Sequence, residues 1–228
     1  MAAPFPSPTT TWHSTTYASL SPLRPELSVK GKTVIITGDD KVDILVSGAA
    51  VVGPLESIEH VNSDKFMDAI HTNISGSLFV AQAFLRHASP NATVVEINSS
   101  AAHVNFSPGF SAYSVGKLAI CRLWDSLAFA NPEMSVFHLQ PGIVDTAMNR
   151  EAGGIDAIGF SDDVSLPASF IVWLASPEAR FLRGKFLWAN WDAQKIEETA
   201  YLSVGFVGWP FDGGNWKLET AEGAWDNI

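Results

Sequence analysis

The chain has 228 residues, enough for one domain with a substantial core; 17% are charged and 46% apolar, against a usual charged share of about a quarter. A net charge of −10 disfavours nucleic acid and anionic membrane as partners, and the lone Cys121 excludes an internal disulfide. No apolar run is long enough to span a bilayer, and Met1-Ala-Ala-Pro-Phe-Pro-Ser-Pro8 has neither a basic start nor an apolar core, so a cytoplasmic protein without a signal peptide is expected.

Residues 1–29, rich in Pro, Ser and Thr without periodicity, read as an arm on the surface or on a partner subunit. Residues 33–37 and 42–46 are apolar runs expected as strands, yet only Gly38-Asp39-Asp40-Lys41 separates them. Parallel neighbours need a crossover of about a dozen residues, so the first run is expected to be rearranged, to lie off the sheet, or to be exchanged between subunits. Ser63–His87 reads as a helix capped by Asn62 or Ser63, with Phe66, Ile70, Ile74, Leu78, Ala81 and Leu85 on its apolar face. Asn73 lies inside that helix, where poor propensity predicts a local bulge.

Residues 92–97 form an apolar run that reads as a buried parallel strand, ending at Asn98-Ser99-Ser100. A helix is expected over 111–130, placing Tyr113 and Lys117 one turn apart on one face. An ammonium beside a phenol favours phenolate, which would pull the tyrosine towards neutrality. Tyr-x-x-x-Lys alone is common; the Ser100 hydroxyl, aimed from a strand end, gives it context. Residues 135–140 read as another buried strand, followed by Pro141-Gly142-Ile143-Val144-Asp145-Thr146. The glycines between 149 and 159 suggest a flap, 167–176 a short apolar helix, and Lys185–Ala189 a last strand. Six of the eight tryptophans follow residue 170, either as packing or subunit contacts or as walls of an apolar substrate pocket. The histidines show no metal-ligand spacing and no Cys-x-x-Cys occurs, so no metal is expected.

Strand, Ser-Ser, loop, Tyr-x-x-x-Lys helix, strand and Pro-Gly in this order resemble the short-chain dehydrogenase/reductase family over roughly residues 30–190. The resemblance implies a truncated Rossmann-like α/β three-layer sandwich with a mostly parallel sheet. An arm (1–29) would precede it and a tryptophan-rich extension (191–228) would follow, packed on the domain or on a partner. It also implies a catalytic group of Tyr113, Ser100, Lys117 and Asn73, with His103, Phe106 and Met148 lining a substrate pocket. Tyr113 would exchange a proton with the substrate oxygen, Ser100 would hold that oxygen, Lys117 would tune Tyr113, and Asn73 would support a water relay. Thr146 and the backbone of Ile143 would touch a nicotinamide amide. The two long helices would pair in a homodimer or homotetramer.

The sequence departs from the family after Gly38. The glycine-rich turn that cradles a pyrophosphate and the strands that read the ribose have no counterpart. The first expectation is therefore an enzyme with no cofactor, catalysing cyclisation, isomerisation or dehydration of a small apolar carbonyl or hydroxyl metabolite by acid–base chemistry. The alternatives are an NADP(H)-dependent oxidoreductase and a non-catalytic interaction subunit.

Overall fold

The computed structural model describes residues 7, 9–28, 41–105, 107–155 and 159–198. The expected first strand at 33–37, Phe106, and Trp209, Trp216 and Trp225 lie outside the described residues.

Four strands, β1 (Val42–Ser47), β2 (Ala88–Ile97), β3 (Ser135–Gln140) and β4 (Phe186–Trp188), form one sheet in the order β1-β2-β3-β4, every pairing parallel. Strands covered on both faces read as continuous apolar runs, and all six residues of β3 are buried. The crossover between β1 and β2 is α1 (Ser63–His87), and that between β2 and β3 is α2 (Ser111–Ala130). Asn62 caps α1, its Oδ1 accepting the Lys65 N–H at 3.0 Å. The chain continues through α3 (Ala147–Glu151), α4 (Ser165–Leu174) and, after β4, α5 (Ala193–Glu198).

Alternation along β2 and β3 divides the core in two. Val94 and Val136 pack with Phe84, Ile120, Trp124 and Leu127 beneath α1 and α2. Val95, Phe137 and Leu139 pack with Phe170, Trp173 and Trp188 on the other face. The result is a three-layer α/β sandwich, as expected.

Two elements differ from expectation. The face α1 buries is Ala69, Ile70, Asn73, Ser77, Ala81 and Phe84, while Leu78 and Leu85 stay exposed. Small residues win this face because α2 approaches closely; a Cβ on Gly116 would stand 3.3 Å from Asn73 Nδ2. The described part of the arm, residues 9–28, is built into the second core layer rather than laid over it. Leu20 and Leu27 are fully buried, and Trp12 forms an antiparallel bridge with Trp191. Around that bridge the His13 amide donates to Asn190 O at 2.8 Å, Asn190 Nδ2 returns a bond to His13 O at 2.8 Å, and the Tyr17 hydroxyl donates to Trp191 O at 3.0 Å.

Candidate active site

Side chains with chemical capacity collect where β2 and β3 end, the edge at which open parallel sheets bind ligands. Beyond Ile97 the chain passes through Asn98 and Ser99 into a 3₁₀ turn, Ser100–Ala102, capped by the Ser99 hydroxyl, which accepts the Ala101 N–H at 3.1 Å. A second such turn, Pro108–Phe110, leads directly into α2, so Tyr113 falls in the first helical turn and Lys117 in the next.

Tyr113 and Lys117 come together beside the Ser99–Ser100 doublet, where β2 ends. Ser99 acts on the Tyr113 phenol, lowering its pKa against the effect of burial. Ser100 is buried, its amide donating to Gln140 Oε1 at 2.9 Å, and it lines a small cavity with Trp12, Gln140, Ile143, Asp162 and Asn190. Thirteen-residue spacing points to Ser100, and the two neighbouring serines stand in different surroundings.

Lys117 Nζ donates to Ile97 O at 2.7 Å and stands 5.8 Å from the centroid of the Tyr113 ring. The expected pull of the phenol towards neutrality is not what the structure shows. Burial raises the Tyr113 pKa, Ser99 opposes this, and the Glu96 carboxylate adds to the rise. Burial lowers the Lys117 pKa, with Glu96 acting in the opposite sense.

Asn73 makes no bulge, for α1 runs unbroken through it. Its Oδ1 accepts the Val51 N–H at 2.8 Å and its Nδ2 donates to Val51 O at 2.9 Å, tying the loop after β1 to the helix. That pairing satisfies the buried amide without disturbing the helical ladder. Burial lowers His103 to about 4, so the ring is neutral, with its edge on Phe186 at a centroid distance of 4.5 Å. His103 also lines an open groove of about 390 Å³ with Asn105, Ser114, Val115 and Leu118. Met148 is half-buried on α3, which Thr146 caps by accepting the Asn149 N–H at 3.1 Å.

The Ile143 backbone, expected to meet a nicotinamide amide, is already engaged. Its N–H donates to Asp162 Oδ2 at 2.7 Å and its carbonyl accepts the Asp162 N–H at 2.7 Å. Sequence reasoning also passed over a buried polar cluster, Glu96, Asn98, Asp125 and His138, directly beneath the site. The available signal was a glutamate and a histidine each interrupting an apolar strand, at positions the sheet places side by side.

Residues 32–154 match the family model described as short chain dehydrogenase. Short chain dehydrogenase/reductase AacuD of Aspergillus aculeatus is 31% identical over 176 residues, 73% of this chain and 62% of that protein. The similarly described nsrO of Aspergillus novofumigatus is 31% identical over 184 residues, with the same 73% and 62% covered. The chain thus spans about three fifths of the length of these relatives. Among solved structures, a short-chain dehydrogenase/reductase from Serratia marcescens superposes with TM-score 0.57 at 28% identity, over 65% of this chain and 64% of that one. The angucycline C-6 ketoreductase LanV with bound NADP superposes with TM-score 0.57 at 22% identity, over 65% and 61%, a likeness of fold alone.

Proposed function

This chain belongs to the short chain dehydrogenase family, and from that membership we propose that it is an NADP(H)-linked oxidoreductase acting on a carbonyl or hydroxyl of a small apolar metabolite, of the kind made in secondary metabolism. One observation supports the reading: Tyr113 and Lys117 stand one helical turn apart beside the Ser99–Ser100 doublet at the end of the parallel sheet. Tyr113, kept protonated by burial, would donate its phenolic proton to the oxygen of a carbonyl being reduced, or take it back in the reverse direction. Ser100 is the second hydroxyl that could reach the substrate oxygen, and Asn73 acts by fixing the loop after β1. Half-buried Met148 and neutral His103 offer apolar and polar walls for the substrate, with Phe106 beside them in sequence.

The described residues fit the nicotinamide riboside end of such a cofactor. Lys117 has ammonium hydrogens beyond the one given to Ile97, and the Thr146 hydroxyl accepts from Asn149 while its own proton is left to donate. Bound there, the cofactor supplies the hydride that no side chain can.

A specific observation favours a second reading. Only Asp39, Asp40 and Lys41 separate Gly38 from Val42, which leaves no glycine-rich turn for a pyrophosphate. On this reading the same Tyr113 performs cofactor-independent cyclisation, isomerisation or dehydration. Titration with NADPH, NADP, NADH and NAD, followed by tryptophan fluorescence and calorimetry, separates the two. The first requires NADPH binding and NADPH consumption with polycyclic ketones as probes. Turnover lost in Tyr113→Phe yet indifferent to NADPH establishes the second; neither binding nor turnover leaves an interaction subunit.

A homodimer or homotetramer belongs to the proposal. Exposed Met67, Leu78 and Leu85 on α1 and Val115 and Leu118 on α2 offer an apolar surface for it. Among the described residues no helix is long and apolar enough to cross a membrane; a cytoplasmic location remains part of the proposal.

A further inference from the structure

Glu96 on β2 and His138 on β3 are register partners, and both side chains are almost wholly buried. His138 Nδ1 lies 3.0 Å from Glu96 Oε2, and Nε2 lies 3.0 Å from Asp125 Oδ1 on α2. Cys121 Sγ lies within 4.8 Å of a ring nitrogen. Each ring nitrogen faces a carboxylate, so each is satisfied only by donating a hydrogen, and the ring is an imidazolium. Burial opposes that charge, but the bonds to Asp125 and Glu96, with Cys121 beside them, raise the His138 pKa well above its ordinary value.

The cluster continues to the candidate site. Glu96 Oε2 accepts from Asn98 Nδ2 at 2.8 Å, the same amide donates to Lys117 O at 3.1 Å, and Asn98 Oδ1 accepts the Ser99 N–H at 2.7 Å. One unbroken set of contacts therefore joins Asp125, at the outer end, to the backbone of both Ser99 and Lys117. Other groups facing it are Cys121 and, outside, Arg122, whose guanidinium is 3.9 Å from Asp125 Oδ2. Phe186 stacks over His138 at 6.3 Å, and the carbonyl of Lys185 takes the His138 amide hydrogen at 3.0 Å. Stability alone does not call for such a cluster, because well-packed apolar residues often replace a buried ion pair without loss.

We propose that Glu96, His138 and Asp125 form a positioning unit for the acid–base pair: His138 and Asp125 lock the Glu96 carboxylate, which anchors Asn98, and through it Ser99 and Lys117, while presenting negative charge to Lys117 and Tyr113. The inference rests on the reading of Tyr113 as the proton-transferring group. Its test does not depend on turnover. The three tyrosines, Tyr17, Tyr113 and Tyr201, are titrated by ultraviolet difference spectroscopy, with Tyr113→Phe subtracted to isolate the phenol of interest.

Glu96→Gln keeps the shape and removes the charge, so the Tyr113 phenol should ionise at lower pH than in the wild-type protein. Superimposable titrations in a folded variant overturn the proposal. Should Glu96→Gln fail to fold, Asp125→Asn at the outer end decides. There His138 should lose its ring proton at lower pH by NMR, and an unchanged histidine titration overturns the proposal. If NADPH-dependent ketone reduction is present, Asp125→Asn should lower kcat about tenfold or more with KM nearly constant. Equal kcat with a lower Tm would mark the unit as structural only and overturn the proposal. Wild-type turnover in Tyr113→Phe would sink the functional reading, and the titrations would still report on the unit. Cys121, Asp125 and His138 place ligand atoms within 4.8 Å of one another; one equivalent of Zn(II) bound and lost in Cys121→Ser would make this a metal centre and overturn the proposal.

Discussion

Gly142→Ala should destabilise the fold through one contact. Gly142 sits at φ +90°, a region costly to L-residues by about 1–2 kcal/mol, and its Cβ would stand 2.6 Å from Asp162 Oδ2. Asp162 must retreat, lengthening its bonds from the Ile143 N–H (2.7 Å) and from Asn190 Nδ2 (2.9 Å). A hydrogen bond to a charged group is worth about 1.5–3 kcal/mol, and loosening two of them forfeits part of that. Backbone and contact together come to about 2–4 kcal/mol, or a Tm lower by about 5–15 °C for a chain of this size. Urea unfolding followed by tryptophan fluorescence reads this well, since Trp12 and Trp188 line the same small cavity as Gly142 and Asp162. In an Asp162→Ala background the contact is already gone, so Gly142→Ala should cost only the backbone share, about 1–2 kcal/mol. An equal cost in both backgrounds, or a loss below about 0.5 kcal/mol alone, would refute the reasoning.

Leu20→Ala, in the arm, should cost about 2–5 kcal/mol by denaturant melting; a change within 0.5 kcal/mol would show the arm to be dispensable. Burial raises the Asp162 pKa, so the folded state holds that proton more tightly than the unfolded chain. Its contribution to stability is complete below the unfolded carboxylate value and lost as pH rises through the folded one; Asp162→Asn should flatten that part of the stability–pH curve. Ser99→Ala should raise the Tyr113 ionisation pH, because Ser99 favours the phenolate, and the kinetics of Ser99→Ala and Ser100→Ala decide which serine serves the substrate. A greater loss of turnover in Ser100→Ala would show that sequence spacing identifies the serine.

Where residue pattern and packing agree, the sequence is a good guide. α1, α2 and β3 occupy the predicted spans, because period, caps and breakers all act within a few residues of each boundary. The buried face of α1 was not legible, since it depends on Gly116 of another helix admitting Asn73. The state of Tyr113 was misjudged for a similar reason: spacing gives the distance to Lys117 along the helix, while burial and Glu96 come from the sheet below. Phe106 and the first apolar run, 33–37, fall beyond the described residues. The arm looked peripheral because its composition lacks period, and only its long-range partners near residue 190 reveal it as core.

That last feature bears on how the protein folds. The bond between Asn190 and His13 spans 177 residues of chain, so Trp12, Leu20 and Leu27 take their cover from residues that follow far along the sequence. Docking the arm closes a very long loop, the kind of contact whose entropic cost slows folding.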